Sequence, residues 1–132
     1  MNKYDICLVE SVNGIPFGAD RAAVRTALGN NFKEFKKSKF SKNTSDDFGS
    51  CHIFYSVDDT LEAIEIFSGA TICVNNQVIS LECPELIEWV KSLDPEAEED
   101  SDGIVSKKLS IGIYAPYQEF DSILFGKKEY YR

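Results

Sequence analysis

The chain has 132 residues, 43% of them hydrophobic, with 9 Phe and 6 Tyr. That suffices for one self-supporting domain over residues 1–132 and excludes a disordered chain. The formal net charge of -8 disfavours bare nucleic acid as a partner, because phosphate binding needs a basic surface, and suits a basic protein instead, although acidity also serves solubility alone.

The N-terminal stretch MNKYDICLVE has no apolar signal core and no small-residue cleavage site, and no apolar run approaches the ~20 residues of a membrane helix. A cytoplasmic chain with no membrane partner is the expectation. Residues 4–10 read as a first strand, rich in β-formers. Asn13 and Gly14 mark a turn. Asp20 then caps a helix whose apolar stripe is Val24, Ala27 and Leu28, with Arg21 and Arg25 elsewhere on its surface, and Gly29 closes it.

Residues 33–42 carry five lysines and one glutamate between scattered phenylalanines, as an edge strand or a surface loop would. Residues 41–50 are turn-rich. CHIFYSV and LEAIEIF form an antiparallel pair around Asp58-Asp59-Thr60, with Leu61, Ala63, Glu65 and Phe67 on one face and Glu62, Ile64 and Ile66 on the other. TICV and QVISL form a hairpin through Asn75-Asn76, since asparagine tolerates positive φ. Pro84 begins a second helix with the stripe Leu86, Ile87, Val90 and Leu93, which Pro95 stops.

Residues 94–102 contain six acids and no base, so mutual repulsion predicts a mobile loop ended by Gly103. KLSIGIY gives a strand with Leu109, Ile111 and Ile113 on one face. Ala115-Pro116-Tyr117 makes a corner, and SILFG returns as the last strand. The expected fold class is therefore α+β: a mainly antiparallel sheet of about six to seven strands with two short helices packed on it.

Residues suited to chemistry are scarce. The one histidine, His52, adjoins Cys51, but neighbours on a strand point to opposite faces and cannot cooperate. Cys7, Cys51, Cys73 and Cys83 contain no C-x-x-C pair, so no metal site is expected and the thiols should remain reduced in the cytosol. Asp58, Asp59, Glu62 and Glu65 lack the order and glycine of a calcium loop and read as solvated hairpin surface. No phosphate-binding glycine loop occurs. No catalytic residue, cofactor or metal is expected, and a monomer is favoured. The acids at 94–102 can offer a phosphate-like field to a cationic site.

Two stretches carry a resemblance. GIPFGADRAAVRTALG at residues 14–29 gives a PFG lead, an arginine-bearing helix and a closing Leu-Gly. KLSIGIYAPYQEFDSILFGKKEYYR gives two strands and a Lys-rich, Tyr-Tyr end. With the YSVDDTLEAIEIF hairpin, they resemble bacterial immunity proteins of polymorphic-toxin and contact-dependent growth-inhibition systems. The resemblance implies a cytosolic inhibitor that binds one cognate toxin domain, often a nuclease with a basic groove. On that expectation the toxin-facing residues are Asp58, Asp59, Asp94, Glu96, Glu98, Glu99, Asp100 and Asp102. The alternatives are a small hydrolase using Cys51 or Cys83 with His52, and a scaffold domain that self-associates through a sheet edge.

Overall fold

The structure, a computed structural model, describes residues 3–131. Met1, Asn2 and Arg132, at the ends of the N-terminal stretch and of the Tyr-Tyr tail, lie outside the described residues. The described chain forms thirteen strands and two helices, and the α+β class holds. The strands outnumber the expectation and divide between two sheets.

The smaller sheet is ordered β3-β2-β1-β8-β9. Its strands are β1 (Lys3–Cys7), β2 (Ser11–Val12), β3 (Ile15–Pro16), β8 (Thr71–Val74) and β9 (Gln77–Ile79). β1 ends at Cys7 rather than Glu10, because the chain turns at Val9 (φ 57°) and the Glu10 amide donates to the Cys7 carbonyl at 2.9 Å. Asn13 and Gly14 both take positive φ, which lets residues 11–16 fold as a tight hairpin. Pro16 sits on the outermost strand, where its missing N–H breaks no ladder. The Asn75-Asn76 turn takes φ of 47° and 70°, the geometry that a two-residue hairpin needs. β1 and β8 pair in parallel; the other neighbours in this sheet are antiparallel.

The larger sheet is antiparallel, ordered β10-β11-β12-β13-β7-β6-β5-β4. It comprises β4 (Lys33–Phe35), β5 (Ser45–Asp47), β6 (Cys51–Tyr55), β7 (Leu61–Phe67), β10 (Glu98–Asp100), β11 (Gly103–Ser106), β12 (Ile111–Tyr114) and β13 (Ser122–Gly126). β5 lies inside the stretch read as turns, and β11 was not foreseen. The lysine-bearing segment supplies edge strand β4, as one of the two expected readings had it. A register shift between β6 and β7 places Leu61 opposite Tyr55. This bulge returns Leu61 to the core face, against the simple alternation read from sequence, and leaves Glu62 beside Lys127 at 3.5 Å.

The two helices are α1 (Arg21–Leu28) and α2 (Leu86–Leu93). The Asp20 carboxylate accepts from the Ala23 amide at 2.9 Å, a cap worth about 1 kcal/mol. α2 begins two residues after Pro84, which occupies the preceding turn. Apolar residues of both sheets and both helices share one core, including Ile6, Val24, Ile53, Ile72, Val90 and Phe125. α1 is fastened by charge as well. Asp46 is fully buried; Arg25 donates to it twice, at 2.9 and 2.8 Å, and the Tyr55 hydroxyl donates at 2.8 Å.

The acidic stretch is not a mobile loop. Asp94 is buried at 3% exposure, accepting from the Ser106 hydroxyl at 2.7 Å and the Glu96 amide at 3.0 Å. From that anchor the chain runs into β10, which pairs with β11 through the Asp100–Gly103 turn. Backbone pairing on one side and Lys91 and Lys107 near Glu99 and Glu98 offset the repulsion expected from composition.

Candidate functional site

Strand register defines the face of the large sheet turned away from the core. One cross-strand row runs Glu98, Val105, Gly112, Leu124, Glu65, His52, Asp47 and Lys33. A neighbouring row runs Asp100, Gly103, Tyr114, Ser122 and Phe67. Directly paired residues share a face, so the outer surface begins acidic at β10, is apolar across β11 to β13, and ends basic at β4.

The C-terminal segment folds onto this face. A β-carbon on Gly112 would lie 2.0 Å from the Tyr131 hydroxyl, and one on Gly126 would lie 2.6 Å from Cβ of Tyr130. Each tyrosine therefore occupies a notch that glycine leaves open, on adjacent strands. The Tyr-Tyr end thus packs against the sheet.

Between Tyr131 and the β10 edge lies a groove of about 240 Å³. Val105, Gly112 and Leu124 are in its lining, together with Tyr114 and the acids Glu65, Glu98, Asp100 and Asp102. Glu65 is 26% exposed and accepts from the Ser122 hydroxyl at 2.6 Å. The His52 Nδ1 lies 4.0 Å from it. Glu98 has Lys107 at 3.4 Å. Among the described residues, no lysine or arginine pairs with Glu65, Asp100 or Asp102. At the end of the sheet shared by Asp100 and Tyr114, the 3-10 turn Pro116–Gln118 presents Tyr117, 95% exposed. Its backbone sits at φ 58°, a conformation that costs a non-glycine residue roughly 1–2 kcal/mol.

The predicted toxin-facing acids divide accordingly. Glu98, Asp100 and Asp102 line the groove. Glu99 alternates to the opposite side of β10 and pairs with Lys91, raising that ammonium above its ordinary pKa through the hydrogen bond. Glu96 is exposed near Lys107 and Lys108 in a separate depression. Asp94 is withdrawn from the surface by burial, so it cannot face a partner. Asp58 is exposed in the β6–β7 turn. Asp59 accepts from Arg21 at 2.7 Å and Asn43 at 2.9 Å, with its pKa lowered, chiefly by the Asn43 hydrogen bond and further by Arg21. The registers set the Asp58-Asp59 turn at the opposite sheet end from Asp100, four strand spacings across, roughly 19 Å. These two acids therefore do not join the groove in one continuous patch.

Sequence reasoning missed Tyr114, Tyr117 and Tyr131, and it assigned Glu65 to solvated hairpin surface. The period-2 alternation of IGIY did mark Tyr114 as facing away from the core. The seating of Tyr131 and the placement of Glu65 required the strand order.

Cys51 and His52 point to opposite faces, as their adjacency requires. Cys51 is fully buried, and burial pushes its thiol pKa up to about 11. His52 lies among Phe35, Phe54 and Phe67, at centroid distances of 4.6, 6.3 and 4.7 Å. Its two ring nitrogens address different carboxylates, Asp47 at 3.6 Å and Glu65 at 4.0 Å. Cys83 instead hydrogen-bonds Glu85 at 3.0 Å. Among the described residues, no group of three or more His, Cys, Asp or Glu is placed to hold a metal ion, and no helix is long and apolar enough to cross a membrane. Comparison with protein-family models, curated proteins and solved structures yields no match.

Proposed function

We propose that the chain is an immunity protein that binds and neutralises a cognate bacterial toxin domain, one with a basic surface such as a nuclease. It would act in the cytoplasm, by contact rather than by catalysis. The observation that carries this reading is the groove on the outer sheet face, where exposed Tyr114 meets Glu65, Asp100 and Asp102, carboxylates that pair with no lysine or arginine among the described residues. Tyrosine anchors are typical of the residues that dominate binding energy, and a concentrated negative field speeds encounter with a basic partner. The opposite charge at the β4 edge adds an orienting dipole.

Co-expression with the toxin domain encoded beside the gene tests the proposal. A stable complex that abolishes toxin activity is expected. An intact toxin activity in the presence of excess purified chain contradicts it.

A second reading, self-association through a sheet edge, is favoured by one feature. β9 is an edge strand without charge or proline, and Val78 on it is 70% exposed. Such an edge can pair with a second copy. Sedimentation across a concentration series separates the readings, since only self-association gives a mass that rises with concentration.

A further inference from the structure

The groove on the large sheet has a size, an apolar floor and a charge arrangement that together specify what enters it. At about 240 Å³ it falls below the ~300–1,000 Å³ typical of small-molecule pockets. That size suits one inserted side chain rather than a metabolite. Its floor is apolar at Val105 and Leu124, with the Tyr131 hydroxyl seated over Gly112 between them.

Acids stand on both sides of that floor. Glu98 and Glu65 lie at its two ends in the same cross-strand row, and Asp100 lies in the next row with Tyr114. The Tyr131 hydroxyl occupies the space above Gly112, and Tyr114 follows two residues along the same strand. Two phenol groups thus border the same stretch of β12. An aliphatic stem over the floor, a cation at Glu65 and an aromatic border describe a lysine or arginine side chain, which packs its methylenes on apolar surface and directs its charge to acids or aromatic faces. Asp100 and Glu98, four strand spacings away at roughly 19 Å, act on it only through the longer-range field.

Resting on the proposed function, we infer that this groove receives a lysine or arginine side chain of the basic partner, seated over Glu65 and bordered by Tyr114 and Tyr131. Charge complementarity selects the occupant. Glu65 is a half-buried carboxylate on an apolar sheet face whose hydrogen-bond donor among the described residues is the Ser122 hydroxyl, so an incoming ammonium or guanidinium gains a charge-assisted hydrogen bond in a partly dry setting. Tyr131 acts here as a positioning residue. The Gly112 notch sets where its ring stands, and the ring bounds the groove.

The test is an amide-resolved NMR titration of the full chain with a hexa-arginine peptide, with hexa-glutamate as control. Saturable shifts at Gly103, Val105, Gly112, Tyr114 and Ser122 are expected, with none from the control. Glu65→Gln, which keeps the shape and the Ser122 contact, should weaken the peptide by about tenfold, near 1.4 kcal/mol. Asp100→Asn with Asp102→Asn, on an exposed edge that tolerates substitution, should weaken the peptide by a smaller factor through its other arginines, and so guards against misfolding of the Glu65 variant. Shifts scattered equally over Asp58, Glu88 and the other exposed acids, or affinity unchanged in both variants, would overturn the inference.

The toxin domain separates the two levels. If wild type binds the toxin and both variants bind it equally well, the groove is not the site and the function stands. If the peptide binds the groove but no toxin complex forms, the groove stands and the function falls.

Discussion

Arg25 holds Asp46 through two hydrogen bonds, Nε to Oδ2 at 2.9 Å and Nη2 to Oδ1 at 2.8 Å, and so ties α1 to β5. The Tyr55 hydroxyl donates to the same carboxylate, and Arg21 stacks its guanidinium over the Tyr55 ring at 4.0 Å. Asp46 has no solvent exposure. Removing it leaves the Arg25 guanidinium with Glu34 at 3.4 Å and takes away the acceptor of the Tyr55 hydroxyl. Asp46→Ala is expected to cost about 3–5 kcal/mol, the range for breaking a buried ion pair, as read by the urea midpoint. A loss under 1 kcal/mol would mean that α1 is held by its apolar stripe alone.

The glycines make a graded series. A β-carbon on Gly103 would lie 1.8 Å from the Ile113 carbonyl oxygen, at a backbone φ of 147°. Backbone cannot retreat cheaply, so Gly103→Ala should be the most destabilising member. Gly126→Ala meets Cβ of Tyr130 and should cost about 1–3 kcal/mol through overpacking. Gly112→Ala meets only the far end of Tyr131, which can swing away. It should leave the melting temperature nearly unchanged while shifting the Tyr131 ring resonances. Equal losses across the three would contradict the seating of the tyrosines.

Acid titration reports on the other helix contact. Asp59 has a folded pKa below its ordinary value, first through the Asn43 hydrogen bond and further through Arg21. A depressed carboxylate contributes stability above its unfolded pKa and loses it as pH falls through the folded value. Asp59→Asn should therefore lower stability at neutral pH and flatten the fall in stability on the acid side of pH 4. Parallel stability curves for variant and wild type from pH 7 to pH 2 would refute this.

Thiol chemistry tests the placement of the strands. Cys7 is exposed and Cys51 is buried, with the Cys51 thiol pushed up to about 11 by burial. Thiolate is the reactive form. Alkylation at pH 8 should modify Cys7 in the native protein and reach Cys51 only on unfolding. Early labelling of Cys51 would place that residue outside the core.

Much of the fold was legible because local chemistry determined it. Asp20 and Gly29 bound α1 as capping rules require, and Asn75-Asn76 forces positive φ into the hairpin. The misses share a physical cause. β5 has the sequence Ser-Asp-Asp, which no propensity marks as a strand; its middle carboxylate is inward because Arg25 and Tyr55 receive it, and those partners are distant in sequence. The segment Glu98–Asp100 was read as mobile from its own repulsion, yet Asp94 and Ser106 anchor the hairpin that pairs it. In the candidate site, the acids at 98, 100 and 102 were legible from charge alone. Glu65 and Tyr131 were not, because only the order β11-β12-β13-β7 brings them to one groove.

The most direct test is the association rate of the chain with its cognate toxin domain across a salt series, comparing wild type with the Glu98→Gln, Asp100→Asn, Asp102→Asn triple variant. Steering by the groove acids predicts a slower rate for the triple variant at low salt, with a flatter salt dependence that converges on wild type as screening shortens the Debye length to about 3 Å near 1 M. Identical rates at every salt concentration would show that the acidic groove takes no part in recognition.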